Sequence, residues 1–170
     1  RGGLFRSFWA DSADPAETVA LTQDAAPTPS STPASSPAPA AGEVEVLFRP
    51  DPTIWDGTHA DLAWLQELPK PLTKVVWENV VAVSPRLAER AGIATGAVVR
   101  VEAAGRAVEG PAWILPGQAD DTVTLTLGYG RNVPDHLSRG LGYDAGPLRP
   151  VGASWRLAGA QLTKTGRRSV

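Results

Sequence analysis

The residues best equipped for chemistry sit in a short run, Gly128-Tyr-Gly-Arg131, directly after the alternating stretch Thr122-Val-Thr-Leu-Thr-Leu127. Glycine lets backbone amides approach a polyanion, arginine pairs bidentately with phosphate, and an aromatic ring stacks on a heterocycle. Gly128, Tyr129, Gly130 and Arg131 are therefore candidate ligand contacts, with a plain hairpin loop as the competing reading. Thr126-Leu-Gly-Tyr-Gly130 is one residue away from a potassium-channel filter. A filter needs carbonyl rings held by membrane helices, and no run of about 18 apolar residues is present. Gly140-Leu-Gly-Tyr-Asp-Ala145 fits a loose dinucleotide fingerprint, but no helical pattern follows it and Gly146-Pro147 would break one. Asp120-Asp121 offers two carboxylates, too few to hold a hard cation well, and reads as a solvated turn. His59 and His136 lie 77 positions apart with no serine in a nucleophile elbow, so surface or packing roles are expected. The chain displays no self-sufficient catalytic constellation and no metal site.

Composition narrows the field further. With 16 Lys+Arg against 18 Asp+Glu the net charge is −2, which removes the electrostatic case for nucleic acid. Cysteine is missing, so disulfides, thiolate metal sites and an iron–sulfur cluster held by this segment alone are excluded. Two histidines do not make a His-rich metal centre.

Residues 27–42 are only Pro, Ser, Thr, Ala and Gly. Such a stretch buries too little apolar surface to offset the entropy of ordering it, and it reads as a semi-stiff linker. Residues 1–26 carry an aromatic cluster, Leu4, Phe5, Phe8 and Trp9, read as the edge of a neighbouring domain or a docked strip, with amphipathic anchoring to a partner or a membrane surface as the competing reading. The chain does not open with Met and shows no signal-peptide pattern, which suggests a piece of a longer protein.

The elements that must position Gly128–Arg131 are short strands. Residues 43–49 alternate, and Pro50 and Pro52 end the run. Leu62 to Leu68 makes a turn of helix cut by Pro69 and Pro71. Residues 73–83 are rich in β-branched side chains and predict a strand. Ser84-Pro85 opens a helix capped by the serine, with Gly92 as its left-handed exit. Residues 97–103 and 106–115 form two strands about an Ala104-Gly105 turn. Residues 122–127 and 155–162 supply two more, the last preceded by the glycine-rich residues 140–146. Turn signals every ten residues or so, several short strands and only one or two short helices predict a mainly β fold. A barrel is favoured because closure removes exposed sheet edges. The barrel is expected over 43–164, with 165–170 as a tail.

Several of these pieces together resemble a known family. They are Trp64-Leu-Gln-Glu-Leu-Pro69, Val83-Ser-Pro-Arg-Leu-Ala-Glu-Arg-Ala-Gly92, Ile93-Ala-Thr-Gly96, Val98-Val-Arg-Val101, Trp113-Ile-Leu-Pro-Gly117 and Asp121 to Arg131. They resemble the C-terminal molybdopterin-dinucleotide-binding domain of molybdopterin oxidoreductases. Leu65-Gln-Glu-Leu-Pro-Lys-Pro-Leu-Thr-Lys74 and Leu127-Gly-Tyr-Gly-Arg131 look closer still to the fused molybdopterin/iron–sulfur subunit of alternative complex III, a quinol:electron-acceptor oxidoreductase.

The resemblance covers roughly the middle hundred residues and implies a double-psi β-barrel. It implies that Trp64, Leu65, Gln66 and Glu67, with Gly128, Tyr129, Gly130 and Arg131, lie where the family touches molybdopterin guanine dinucleotide. The metal ligand and the iron–sulfur clusters would belong to other parts of a full-length protein. In the complex III branch the resemblance implies a barrel kept as a scaffold without cofactor. Its partners would be cytochrome c and quinol-binding membrane subunits, on the periplasmic or extracytoplasmic face of the membrane. The rival reading is a stand-alone interaction module with Trp55 and Trp64 as partner anchors, against the plainer expectation that both are buried in the core.

Overall fold

The computed structural model describes residues 42–150 and 155–169. The aromatic segment 1–26 and the Pro/Ala/Ser stretch lie outside the described residues, apart from Gly42. Six strands form a closed barrel in the order β1, β5, β2, β4, β3, β6, with β6 returning to β1. Their ranges are β1 Glu43–Arg49, β2 Val81–Val83, β3 Ala97–Ala103, β4 Arg106–Ile114, β5 Thr122–Thr126 and β6 Arg156–Arg168. Two short helices accompany them, α1 Ala63–Glu67 and α2 Pro85–Ala91. The mainly β, closed-barrel expectation is met.

The pairing explains why long loops gather at the rim. β1 runs parallel to β5 and β2 parallel to β4, while every other pair is antiparallel. A parallel neighbour cannot be reached by a two-residue hairpin, so the chain must cross over. The connection 50–80 between β1 and β2 carries α1, and the connection 127–155 follows β5. The side chains of Val44, Val46, Phe48, Val81, Val83, Val99, Val101, Val123 and Leu125 are buried together in the core. In β1 and β3 buried positions alternate with exposed or half-buried ones, as one-sided strands require.

Local signals act as expected at α2. Ser84 Oγ accepts from the Leu87 amide at 2.9 Å, Pro85 occupies the first turn, and Gly92 exits with φ +62°. Asp120 and Asp121 are indeed turn residues, and they pair with Arg86 (3.0 Å) and Arg90 (2.7 Å) one turn apart on α2.

Two strand expectations are corrected. Of residues 73–83 only Val81–Val83 pair in the barrel. Lys74 and Trp77 adopt positive φ (61° and 62°), and the Trp77 amide donates to Gln66 O at 3.1 Å. The segment thus winds against α1 instead of extending, because tertiary hydrogen bonds override a β-branched composition that only favours a pleated surface. The last strand does not stop at Leu162. It runs to Arg168, which pairs with Ala97, so residues 165–168 belong to the barrel and not to a tail.

Candidate functional site

The two segments singled out in the sequence meet at the barrel rim. α1 places Gln66 inward, only 1% exposed, and the loop after β5 brings Tyr129 to it, 4% exposed. The Tyr129 hydroxyl donates to Gln66 Oε1 at 3.1 Å and accepts from Lys70 Nζ at 2.9 Å. Gln66 Nε2 donates to Ala60 O at 2.7 Å, and Lys70 Nζ donates to Glu78 O at 2.9 Å. Below them Asp51 is fully buried. Its Oδ1 accepts from the Thr53 amide and hydroxyl and the Ile54 amide, while Oδ2 lies 3.7 Å from Lys70 Nζ, an ion pair without a hydrogen bond. Ile54, Ala60 and Tyr129, with Leu65 against them, form a small apolar cluster apart from the main core.

The electrostatics follow from this burial. Desolvation lowers the Lys70 ammonium below the usual lysine range, and the Asp51 carboxylate opposes it. Desolvation raises the Tyr129 phenol well above its ordinary range, with Asp51 adding to the rise. Desolvation also raises Glu78, against the pull of Lys70. Tyr129 is therefore a neutral phenol whose donor and acceptor are both spent inside the protein.

The glycines on either side of Tyr129 have a matching explanation. Gly128 and Gly130 adopt φ of +100° and +75°, which an L side chain rarely tolerates. A Cβ on Gly128 would sit 2.7 Å from the Gly57 amide nitrogen, and one on Gly130 would strike the Asp144 backbone. The room that glycine leaves is taken by the protein's own loops.

Of the other expected contacts, Leu65 is half-buried, and Trp64, Glu67 and Arg131 face outward. Trp64 is 87% exposed and Trp55 is 59% exposed, which overturns the expectation of core burial for both. The Arg131 guanidinium lies against Gly57, where it would meet any Cβ. Beside Gly128 opens a cleft of about 460 Å³ whose charged lining is Asp56, Asp144 and Arg149. Hydrogen bonds from Thr58 hold the Asp56 carboxyl below the usual range, with a smaller contribution from Arg131. Asp144 Oδ1 accepts from the Gly146 amide at 2.8 Å. Arg149 stacks over the Trp155 ring at 4.5 Å.

The rim groups that the resemblance assigns to a pterin dinucleotide are largely engaged by the protein itself. The Tyr129 hydroxyl is engaged by Gln66 and Lys70, and Gln66 commits one amide N–H to Ala60 O and its oxygen to Tyr129. The glycines admit backbone, and the cleft beside Gly128 carries two carboxylates against one guanidinium.

Several important residues escaped the sequence reading. Asp51-Pro-Thr53 carries the signature of a side-chain-capped turn, which could have been found. Nothing marks Lys70, between two prolines, as buried. A third group, Asp61 with His136 and Ser138, joins the two rim connections. Asp61 Oδ2 lies 2.6 Å from His136 Nδ1, and Oδ1 accepts from the Ser138 amide at 3.0 Å and its hydroxyl at 2.7 Å. His136 thus stands at the surface, half exposed and in contact with Asp61. Among the described residues no cluster of three or more His, Asp or Glu could hold a metal, and no helix is long and apolar enough to cross a membrane.

No family model matches the chain. Over 59 residues, 35% of its length, the chain is 36% identical to the thiosulfate reductase molybdopterin-containing subunit PhsA of Salmonella typhimurium. The matched stretch is 8% of that protein's length. The match supports a relationship to molybdopterin oxidoreductases, and it does not single out one branch of them.

Proposed function

We propose that this barrel is a cofactor-free scaffold domain of a molybdopterin oxidoreductase-like iron–sulfur subunit, one that takes part in quinol oxidation and electron transfer in a membrane respiratory complex. The observation that carries the proposal is the closed rim. The two connections that would flank a pterin dinucleotide are bonded to each other through Tyr129 and Gln66, over a buried Lys70 and Asp51. The kinship with a molybdopterin-containing subunit supports the family, and the likeness of Leu65 to Lys74 and of Leu127 to Arg131 to the alternative complex III subunit supports the branch.

On this reading the redox chemistry belongs to iron–sulfur clusters elsewhere in the full-length protein, and the barrel positions the parts that hold them. Exposed Trp55, Trp64 and Leu68 give a scaffold apolar contact with neighbouring protein. The partners are cytochrome c and quinol-binding membrane subunits, at the periplasmic or extracytoplasmic face. Metal and pterin analysis of the purified full-length protein tests the proposal. Iron without stoichiometric molybdenum or releasable pterin is expected. One molybdenum and its pterin per chain would overturn it in favour of a barrel that binds molybdopterin guanine dinucleotide.

A further inference from the structure

A second cavity, of about 270 Å³, lies on the outer wall of the barrel and shares Lys70 with the rim, while neither Gly128 nor Arg131 lines it. Its floor is formed by Val80, Ala82, Thr124 and Thr126. Ala82 and Thr124 alternate along β2 and β5 with Val81, Val83, Val123 and Leu125, whose side chains fill the core. Its sides are Pro50, Pro71, Leu72 and Leu115. Such a wall is predominantly apolar, as small-molecule sites are.

Two polar features break that apolar lining. The Thr126 hydroxyl is buried at the cavity with no hydrogen-bond partner. The neighbouring Thr124 hydroxyl, by contrast, is bonded to Gln118 at 3.0 Å. Buried hydroxyls are normally satisfied, so an orphan on a residue that lines a cavity calls for a partner group. The second feature is Arg49, at the end of β1, which is exposed and also lines the cavity. The other cation there, Lys70, is neutralised by Asp51.

We propose that this cavity binds a small apolar carboxylic acid. The hydrocarbon body lies among the prolines and Leu72. Its carboxylate pairs with Arg49, and the Thr126 hydroxyl turns about its Cα–Cβ bond from its buried position to donate to it. A charge-assisted pair to a guanidinium is the strongest polar interaction this lining can offer, and it selects an anion over a neutral molecule of the same shape. The inference is independent of whether the rim holds a pterin.

Benzoate, with benzyl alcohol as its neutral counterpart, tests this by amide chemical-shift titration of the 170-residue chain. Saturable shifts are expected at residues 80–82 and 124–126 with benzoate. Benzyl alcohol, R49A and T126V should each weaken binding, about tenfold for the loss of the ion pair. Ala82→Leu, which fills the cavity and leaves both polar groups in place, should abolish the shifts while the remaining spectrum stays folded. Three outcomes overturn the proposal: no saturable shift at these amides, equal binding of benzoate and benzyl alcohol, or binding undisturbed by A82L.

Discussion

Removing one oxygen atom probes the rim most sharply. Tyr129→Phe keeps the ring in its apolar cluster but deletes the hydroxyl shared by Lys70 and Gln66. Gln66 Oε1, in a side chain 1% exposed, loses its donor. Lys70 loses one acceptor and keeps Glu78 O. A buried acceptor left unsatisfied costs about 1–3 kcal/mol, and weakening the solvation of a buried ammonium adds to it, so a total of about 2–3 kcal/mol is expected. That is a large part of a typical domain stability of about 5–15 kcal/mol, yet it leaves the chain folded. The assay is urea unfolding followed by tryptophan fluorescence, with Gln66→Leu and the double variant completing a cycle. Because the two side chains share a bond, the double variant should be less damaged than the sum of the singles by about 1 kcal/mol or more. If Tyr129→Phe lies within about 0.5 kcal/mol of the parent, or the two changes simply add, the bond does not hold the rim together.

Other predictions rest on separate parts of the barrel. Tyr129 and Tyr143 are the chain's two tyrosines, and burial raises both phenols well above the usual range. Neither should ionise before the protein unfolds. Since the folded values are raised, this stability is complete below about pH 10 and is lost as pH rises beyond it, so the tyrosinate absorbance should appear together with loss of circular dichroism. Hydrogen bonds from His136 and then Ser138 depress the Asp61 carboxyl below the ordinary carboxylate range. Its contribution is present above about pH 4 and is lost as pH falls through the lowered value, so Asp61→Asn should flatten the acid limb of a stability–pH profile. Ser84→Ala deletes the cap on the Leu87 amide and should cost about 1–2 kcal/mol in urea unfolding, whereas Arg86→Ala, in an exposed ion pair, should cost under about 0.5 kcal/mol.

Where local chemistry dictates conformation, the fold was legible in the residues. Serine before proline opened α2, Gly92 closed it, and the Ala104-Gly105 pair turned β3 into β4 through two positive φ angles. Where the outcome depends on distant partners, composition misled. Residues 73–80 are β-branched enough for a strand, yet they are held against α1 by the Gln66 carbonyl. The same limit applies at the rim. Gly128, Tyr129 and Gly130 stand out in the sequence as candidate ligand contacts, and the structure shows Gly57, Gln66, Lys70 and Asp144 meeting them. Spacing alone does not tell a glycine that admits phosphate from one that admits the chain's own backbone. Trp55 and Trp64 were expected inside because tryptophan carries so much apolar area. Nothing in their neighbourhood signals that Trp55 stands on the outside of a loop and Trp64 on the outer face of α1.

An experimental structure of the full-length protein, at a resolution that fixes the rim side chains, bears most directly on the whole account. Tyr129 should be found with its hydroxyl between Gln66 and Lys70, and with the Gly57 and Asp144 backbones packed on its flanking glycines. A Tyr129 ring swung outward against a purine or pterin, with Gln66 released from it, would contradict the reading of this domain as a scaffold.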